Sequence, residues 1–238
     1  MKLSSSMMGR LGAISKLIIG YLMLIGSTCT FASAEPAANG YTLLVMGDSI
    51  GAAYGVATDR GWVALLQRRL EGRGFEIINA SISGETTAGG LRRLPDLLES
   101  KQPDLVIIEL GGNDGLRGLP VKQMYDNLAG MIKQSLDSRA RVLLLGMRIP
   151  PNYGPAYSDA FAGVYQRLAK DFDVSLESFF LEPVALDFNL MQNDGIHPTA
   201  EAQPLLLEHI WPSIQLMLPA SPSFEPGSNQ KPTGNNSS

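Results

Sequence analysis

The chain has 238 residues, 45% of them hydrophobic and 18% charged, and its 19 basic side chains stand against 23 acidic ones for a formal charge of −4. An acidic balance argues against nucleic acid as a partner, because the electrostatic part of such binding comes from clustered lysine and arginine. The one cysteine, Cys29, excludes a disulfide framework.

The first 34 residues carry Lys2, Arg10 and Lys16, no acidic residue, an apolar core from Leu17 to Ile25, and Ala32-Ser33-Ala34 ahead of Glu35. That order predicts a secretory signal cleaved after Ala34, with a core too short for a membrane span of about 20 residues. A periplasmic or secreted protein without a stable membrane anchor is expected. Gly26, Ser27 and Thr28 before Cys29 do not make the lead of a lipoprotein signal. Cleavage takes three basic residues and no acidic one, leaving 16 against 23 and a mature charge of −7. It also removes Cys29, so no thiol remains for metal or redox chemistry.

Tyr41 to Met46 is a short apolar run that reads as a buried strand, and it breaks at Gly47-Asp48-Ser49. Trp62, Leu65, Leu66 and Leu70 then recur at helical spacing until Gly72 and Gly74, and Phe75 to Asn79 reads as a second strand running into the loop Ala80 to Glu85. A helix is predicted from about Thr86 to Ser100, with Leu91, Leu94, Leu97 and Leu98 on one side. Asp104 to Leu110 is the strongest strand, ending in Gly111-Gly112-Asn113-Asp114, which reads as a loop. The alternation continues with a helix from Val121 to Leu136, a strand from Arg141 to Met147, a Pro/Gly-rich loop from Ile149 to Pro155, a helix to about Lys170 and a weakly signalled strand at Val174 to Leu176. Phe179 to Met191 has no clear period. A last helix is predicted from Thr199 to Leu218, with Pro204 early enough to be tolerated, and Pro219 to Ser238 is too poor in apolar residues to order itself. Strands alternating with helices predict a parallel sheet covered on both faces, with right-handed crossovers.

In open sheets of this kind chemistry sits beyond the carboxyl ends of the strands, where Ser49 falls. A serine hydroxyl needs a base. Of the two histidines, His209 lies among Leu206, Leu207, Ile210 and Trp211 and reads as structural. His197 is the candidate base, with Asp194 three residues before it across Gly195; a tight turn there brings the carboxylate to Nδ1 and leaves Nε2 for Ser49. Asn113 and the backbone N–H groups of Gly84 and Ser49 are candidate oxyanion donors. Taken singly, each has a plainer reading: an Asp-Gly turn with a capping histidine, a turn amide, a turn glycine. Two rival motifs fail. Gly47 to Gly51 fits the G-x-S-x-G elbow, but that elbow lies deeper in its chains, and no histidine precedes Ser49 as a chymotrypsin-like order requires. Gly111 to Asp114 lacks the Lys and Ser/Thr of a phosphate loop.

Gly47-Asp48-Ser49, Gly84 within Asn79 to Thr86, Gly111-Gly112-Asn113-Asp114 and Asp194-Gly195-Ile196-His197-Pro198 together resemble the four blocks of the GDSL or SGNH hydrolases. The likeness is greatest to the bacterial periplasmic multifunctional esterases of the thioesterase I, protease I and lysophospholipase L1 type, arylesterases among them, and Glu109 to Gly118, Arg148 to Gly154 and Met191 to Pro198 carry it further. Ile50 stands where the family name records Leu. The resemblance implies a three-layer α/β/α sandwich with a flavodoxin-like parallel sheet over 35–218, no metal and no cofactor. It also implies a monomer that hydrolyses small acyl esters and thioesters through an acyl-enzyme, with Ser49, Asp194 and His197 as the triad. An exported deacetylase of O-acetylated glycans and an inactive lipid- or glycan-binding module are the alternatives. Leu116, Leu119, Ile149, Pro150 and Tyr153, on the loops after the third and fourth strands, are expected to line an apolar wall; the plainer reading has them packing their own loops.

Overall fold

The computed structural model describes residues 40–219. The expected secretory signal over 1–34 and, but for Pro219, the expected tail over 219–238 lie outside the described residues.

Five strands form one parallel sheet: β1 (Tyr41–Gly47), β2 (Phe75–Asn79), β3 (Leu105–Glu109), β4 (Arg141–Leu145) and β5 (Ser175–Glu177), in the order β2-β1-β3-β4-β5. The three inner strands read as unbroken apolar runs because both of their faces are covered: Leu43 to Met46, Leu105 to Ile108 and Leu143 to Leu145 are fully buried. The edge strands β2 and β5 are only half-buried, and their sequences are correspondingly mixed.

Six helices connect and cover the strands: α1 (Trp62–Leu70), α2 (Thr87–Lys101), α3 (Gly112–Leu116), α4 (Val121–Asp137), α5 (Pro155–Phe172) and α6 (Gln203–Gln215). α1 packs against α6, whereas α4 packs against both α2 and α5, so the sheet lies between two helical layers. Local chemistry sets the helix ends. The Thr86 hydroxyl accepts the Gly89 N–H at the start of α2, and Pro155 occupies the first position of α5, where its missing N–H costs nothing.

Two elements depart from the pattern read in the sequence. Gly111 to Asp114 is not a plain loop, because Gly112 opens the short helix α3. Gly111, at φ 119°, makes the turn into it, and a side chain there would meet the ring of buried Tyr165. The last helix begins at Gln203 rather than Thr199 because the chain before it pairs with itself: Met191 bridges Pro198 in antiparallel fashion, and the Thr199 N–H donates to Leu190 O at 2.8 Å. Phe179 to Leu190 runs through successive turns with no regular helix or strand. His209 bonds locally, its Nε2 lying 3.1 Å from the Phe179 carbonyl and 3.4 Å from Glu177 Oε1.

Candidate active site

The sheet register brings the motif loops together. Gly47 at the end of β1 pairs with Glu109 at the end of β3, so Asp48-Ser49 and Gly111 to Asn113 leave the sheet side by side. On the other flank the Ala80 N–H donates to Val45 O at 2.9 Å and the Ile82 N–H to Gly47 O at 3.1 Å, carrying the chain beyond β2 toward Gly84. Parallel pairing thus makes three sequence-distant loops into neighbours.

Ser49 is nearly buried. Its Oγ lies 2.8 Å from His197 Nε2, and His197 Nδ1 lies 2.7 Å from Asp194 Oδ2. The other carboxylate oxygen, Oδ1, accepts the N–H groups of Ile196 at 2.9 Å and of His197 at 3.0 Å, which closes the Asp194–His197 turn on itself. An ionised carboxylate only accepts, so Nδ1 carries the proton and Nε2 is left to accept from the serine. Burial pushes the Asp194 carboxyl upward, but the hydrogen bonds from the His197 N–H and ring and the Ile196 N–H outweigh it and bring its pKa to about 2.

A depressed carboxylate stabilises the fold above its unfolded pKa of about 3.9, and that contribution is lost as pH falls through the folded value. The difference in Tm between the parent and Asp194→Asn is therefore expected to be present above about pH 4 and to close as pH falls toward 2. Thermal scans of both proteins across that window check it; a difference independent of pH would mean that the charge of Asp194 plays no part in holding the turn.

The histidine loop is tied to the serine loop by a residue that sequence reasoning missed. Gln192 Nε2 donates to Tyr54 O at 2.8 Å and to Pro198 O at 3.0 Å, while the Gln192 N–H donates to His197 O at 2.7 Å. Tyr54 also lays its ring against His197, with centroids 4.6 Å apart. Tyr54 lies in no motif, and Gln192, though within the Met191 to Pro198 stretch that carries the family likeness, was given no role there.

Around Ser49 the neighbouring N–H groups are already engaged. The Asp48 N–H donates to Glu109 Oε2, the Ile50 N–H to Asp48 Oδ1 and the Gly51 N–H to Glu109 Oε2. The Ser49 and Gly84 N–H groups have no acceptor among the described residues. Asn113 Nδ2 donates to Asp48 Oδ2 at 3.1 Å, which turns the nitrogen end of the amide toward the serine turn and leaves its second hydrogen available. Gly84, at φ 78°, has its carbonyl held by Arg117 Nη2 at 2.9 Å.

A cavity of about 460 Å³ borders the serine and histidine loops at Ile50 and Gly195. Leu116, Ile149 and Pro150 line it, joined by Ile50, Gly112 and Ile196. Leu119 and Tyr153, expected on the same wall, stand outside it and brace the loops instead: the Tyr153 hydroxyl donates to Leu116 O, and Leu119 O accepts from the Tyr157 hydroxyl, each at 2.8 Å. The far wall comes from Phe179, Leu181, Ala185, Leu186 and Met191, in the segment without periodicity. Among the described residues no three His, Cys, Asp or Glu side chains are grouped to hold a metal ion, and no helix is long and apolar enough to cross a membrane.

Comparison with known proteins agrees with this arrangement. Residues 45–204 match the GDSL-like Lipase/Acylhydrolase family. The chain is 52% identical to Esterase TesA of Pseudomonas aeruginosa over 83% of its own length and 98% of that protein. It is 44% identical to Thioesterase 1/protease 1/lysophospholipase L1 of Escherichia coli K12, over 82% of the chain and 90% of that protein. The crystal structure of TesA superposes with a TM-score of 0.72 at 55% identity, covering 74% of this chain and 99% of that one. Motif loops on one sheet edge, a matching fold and near full-length similarity to these enzymes lead to one conclusion: the chain belongs to the GDSL-like lipase/acylhydrolase family and is an ester hydrolase.

Proposed function

We propose that the chain hydrolyses acyl and aryl esters and acyl thioesters, lysophospholipids among them, with Ser49 as nucleophile, His197 as base and Asp194 as its orienting carboxylate. The observation that carries the reading is the unbroken run of hydrogen bonds from Ser49 Oγ through His197 to Asp194, at 2.8 and 2.7 Å. His197 Nε2 takes the serine proton as Oγ bonds to the acyl carbon. The carbonyl oxygen, now negative, is held by the N–H groups of Ser49 and Gly84 and the Asn113 amide. Collapse expels the alcohol or thiol, which takes the proton from His197. Water then attacks the acyl-enzyme, giving its proton to His197, and the carboxylic acid leaves as Oγ recovers that proton.

The cavity wall supports the substrate class. Ile50, Leu116, Ile149, Pro150, Phe179 and Met191 face it, and its charged groups are Arg148 and Glu182. An acetylated sugar needs several polar partners for its hydroxyls, and an acyl chain or aryl ring does not. A binding module without catalysis would have no use for an aligned triad. Domain limits of 1–34 for the signal, 35–218 for the hydrolase and 219–238 for the tail complete the proposal, with export resting on the residue order of the first 34 residues.

The test is the purified protein assayed on aryl esters of increasing acyl length, acyl-CoA, lysophospholipid and acetylated sugar. Aryl esters and acyl-CoA are expected to turn over; activity confined to the sugar would overturn the substrate class. Chain-length discrimination is expected to be shallow, since each fully buried methylene contributes about 0.8 kcal/mol and an open wall buries each only in part. Ile149→Ser is expected to weaken preference for longer acyl groups. A mutant with the parent's length profile would place the acyl chain elsewhere.

A further inference from the structure

We propose that Glu109 is a positioning residue for the nucleophile: its buried carboxyl grips the backbone on both sides of Ser49, holding the serine's Oγ and N–H on the substrate side. The inference rests on the assignment of Ser49 above.

Glu109 ends β3 directly beside Gly47 and is fully buried. A single oxygen, Oε2, accepts the N–H groups of Asp48 at 3.2 Å and Gly51 at 3.0 Å. Those two groups bracket Ser49, and with the Ile50 N–H engaged by Asp48 the serine's own N–H is the one left open in the turn. Room for the carboxyl comes from two glycines. A Cβ on Gly51 would sit 2.9 Å from Oε2, and one on Gly47 would sit closer still. Ser81 Oγ crowds the same two positions, more closely than Oε2 at Gly51, so the glycine on each flank of Asp48-Ser49-Ile50 makes room for both side chains. The other oxygen, Oε1, is buried and receives no hydrogen bond. A charged oxygen so placed is more costly than a neutral one.

The neutral form of Glu109 fits the remaining contacts. Burial, then the negative charge of Asp48, push the Glu109 carboxyl well above the usual carboxylate range. With the proton on Glu109, Asp48 stays a carboxylate and can accept from Asn113 and Ile50. Asp48 is itself pushed upward by burial, opposed by those hydrogen bonds and by the charge of His197. The remaining titratable neighbours are Tyr165 on α5, whose hydroxyl donates to Leu110 O, and Asp114 on α3. Through Asp48, Glu109 also reaches the Asn113 amide, so it bears on both the nucleophile and an oxyanion donor.

The experiment compares Glu109→Gln and Glu109→Leu with the parent and with Ser49→Ala on an aryl ester, with thermal scans of each from pH 4 to 8. Glutamine places an oxygen for both N–H groups and carries no charge, so Glu109→Gln is expected to keep kcat within about threefold, while Glu109→Leu loses about 10²-fold in kcat at little change in KM. A raised carboxyl is destabilising once pH exceeds its unfolded pKa of about 4.3, so the Tm of Glu109→Gln is expected to gain on the parent as pH rises from there. That comparison stands even if Glu109→Leu does not fold. Full activity in a folded Glu109→Leu, a Glu109→Gln as impaired as Glu109→Leu, or a Tm difference that does not change with pH overturns the proposal. Parent-level turnover in Ser49→Ala overturns the serine assignment as well, whereas an inactive Ser49→Ala beside an unimpaired Glu109→Leu overturns only the role of Glu109.

Discussion

Replacing Ser49 by Ala, or His197 by Ala, is expected to lower kcat for aryl esters by about 10⁶-fold, because removing either member of a serine–histidine pair removes the function of both. The cooperativity of unfolding is expected to survive in both, with Tm kept in Ser49→Ala and lowered modestly in His197→Ala, which loses the ring's bond to Asp194. Ser49 follows β1 rather than sitting within it, and His197 lies on the loop before α6, so neither supports the buried run of Leu43 to Met46 or the fully buried Leu206 and Ile210. Deleting the Ser49 hydroxyl, which meets the His197 imidazole and, at 3.5 Å, Asp48 Oδ1, leaves no large cavity. The double replacement should be no worse than either single one, since the two act as a unit. An organophosphonate should label the parent at one site and leave Ser49→Ala unlabelled, and stoichiometric labelling of Ser49→Ala would show that another group is the nucleophile.

Asn113→Ala is expected to lower kcat by about 10²- to 10³-fold with a much smaller change in KM. The amide has two N–H groups: one donates to Asp48, and in the proposed mechanism the other meets negative charge that exists only as the acyl carbon becomes tetrahedral. An interaction made in the transition state alone lowers kcat when lost and leaves ground-state binding untouched. Steady-state kinetics separate the cases. A rise in KM at constant kcat would make Asn113 a residue that holds the substrate rather than one that meets the oxyanion. Because Asp48 loses a donor in this variant, Asn113→Asp, which keeps the shape and puts a second carboxyl against Asp48, is expected to be the more damaging of the two.

Much of the scaffold is legible in the sequence. The inner strands announced themselves because burial on both faces demands unbroken Leu, Val and Ile, and the helices between them through apolar residues at helical spacing, such as Leu91, Leu94 and Leu98. The pairing of Asp194 with His197 was equally local. A three-residue separation across Gly195 is short enough for the turn to decide it, and the two backbone N–H groups on Asp194 Oδ1 come from the same turn. Elements were misread where a long-range contact overrode local preference. Thr199 to Ala202 have helical composition but are held out of α6 by the bridge between Met191 and Pro198, and Gly112 to Leu116 coil because the Gly111 turn is packed beneath Tyr165.

What the sequence determined by itself was therefore the chemistry available and the order in which it is strung: one serine after one buried strand, one histidine with a carboxylate at turn distance, and glycines at strand ends. What only the tertiary structure decided was which groups meet. Ser49 and His197 are brought to 2.8 Å across 148 residues by the parallel register and by the Gln192 ties between their loops. The wall from Phe179 to Met191 has no period because turns, not a helix or strand, place its side chains at the cavity. Glu109 read as the end of an apolar strand and the start of the Glu109 to Gly118 likeness, with no role of its own, and only the register that sets it beside Gly47 puts a carboxyl under the serine turn. Local spacing carries information over about one turn of chain; a contact between distant residues depends on strand pairing and packing, which no short stretch encodes alone.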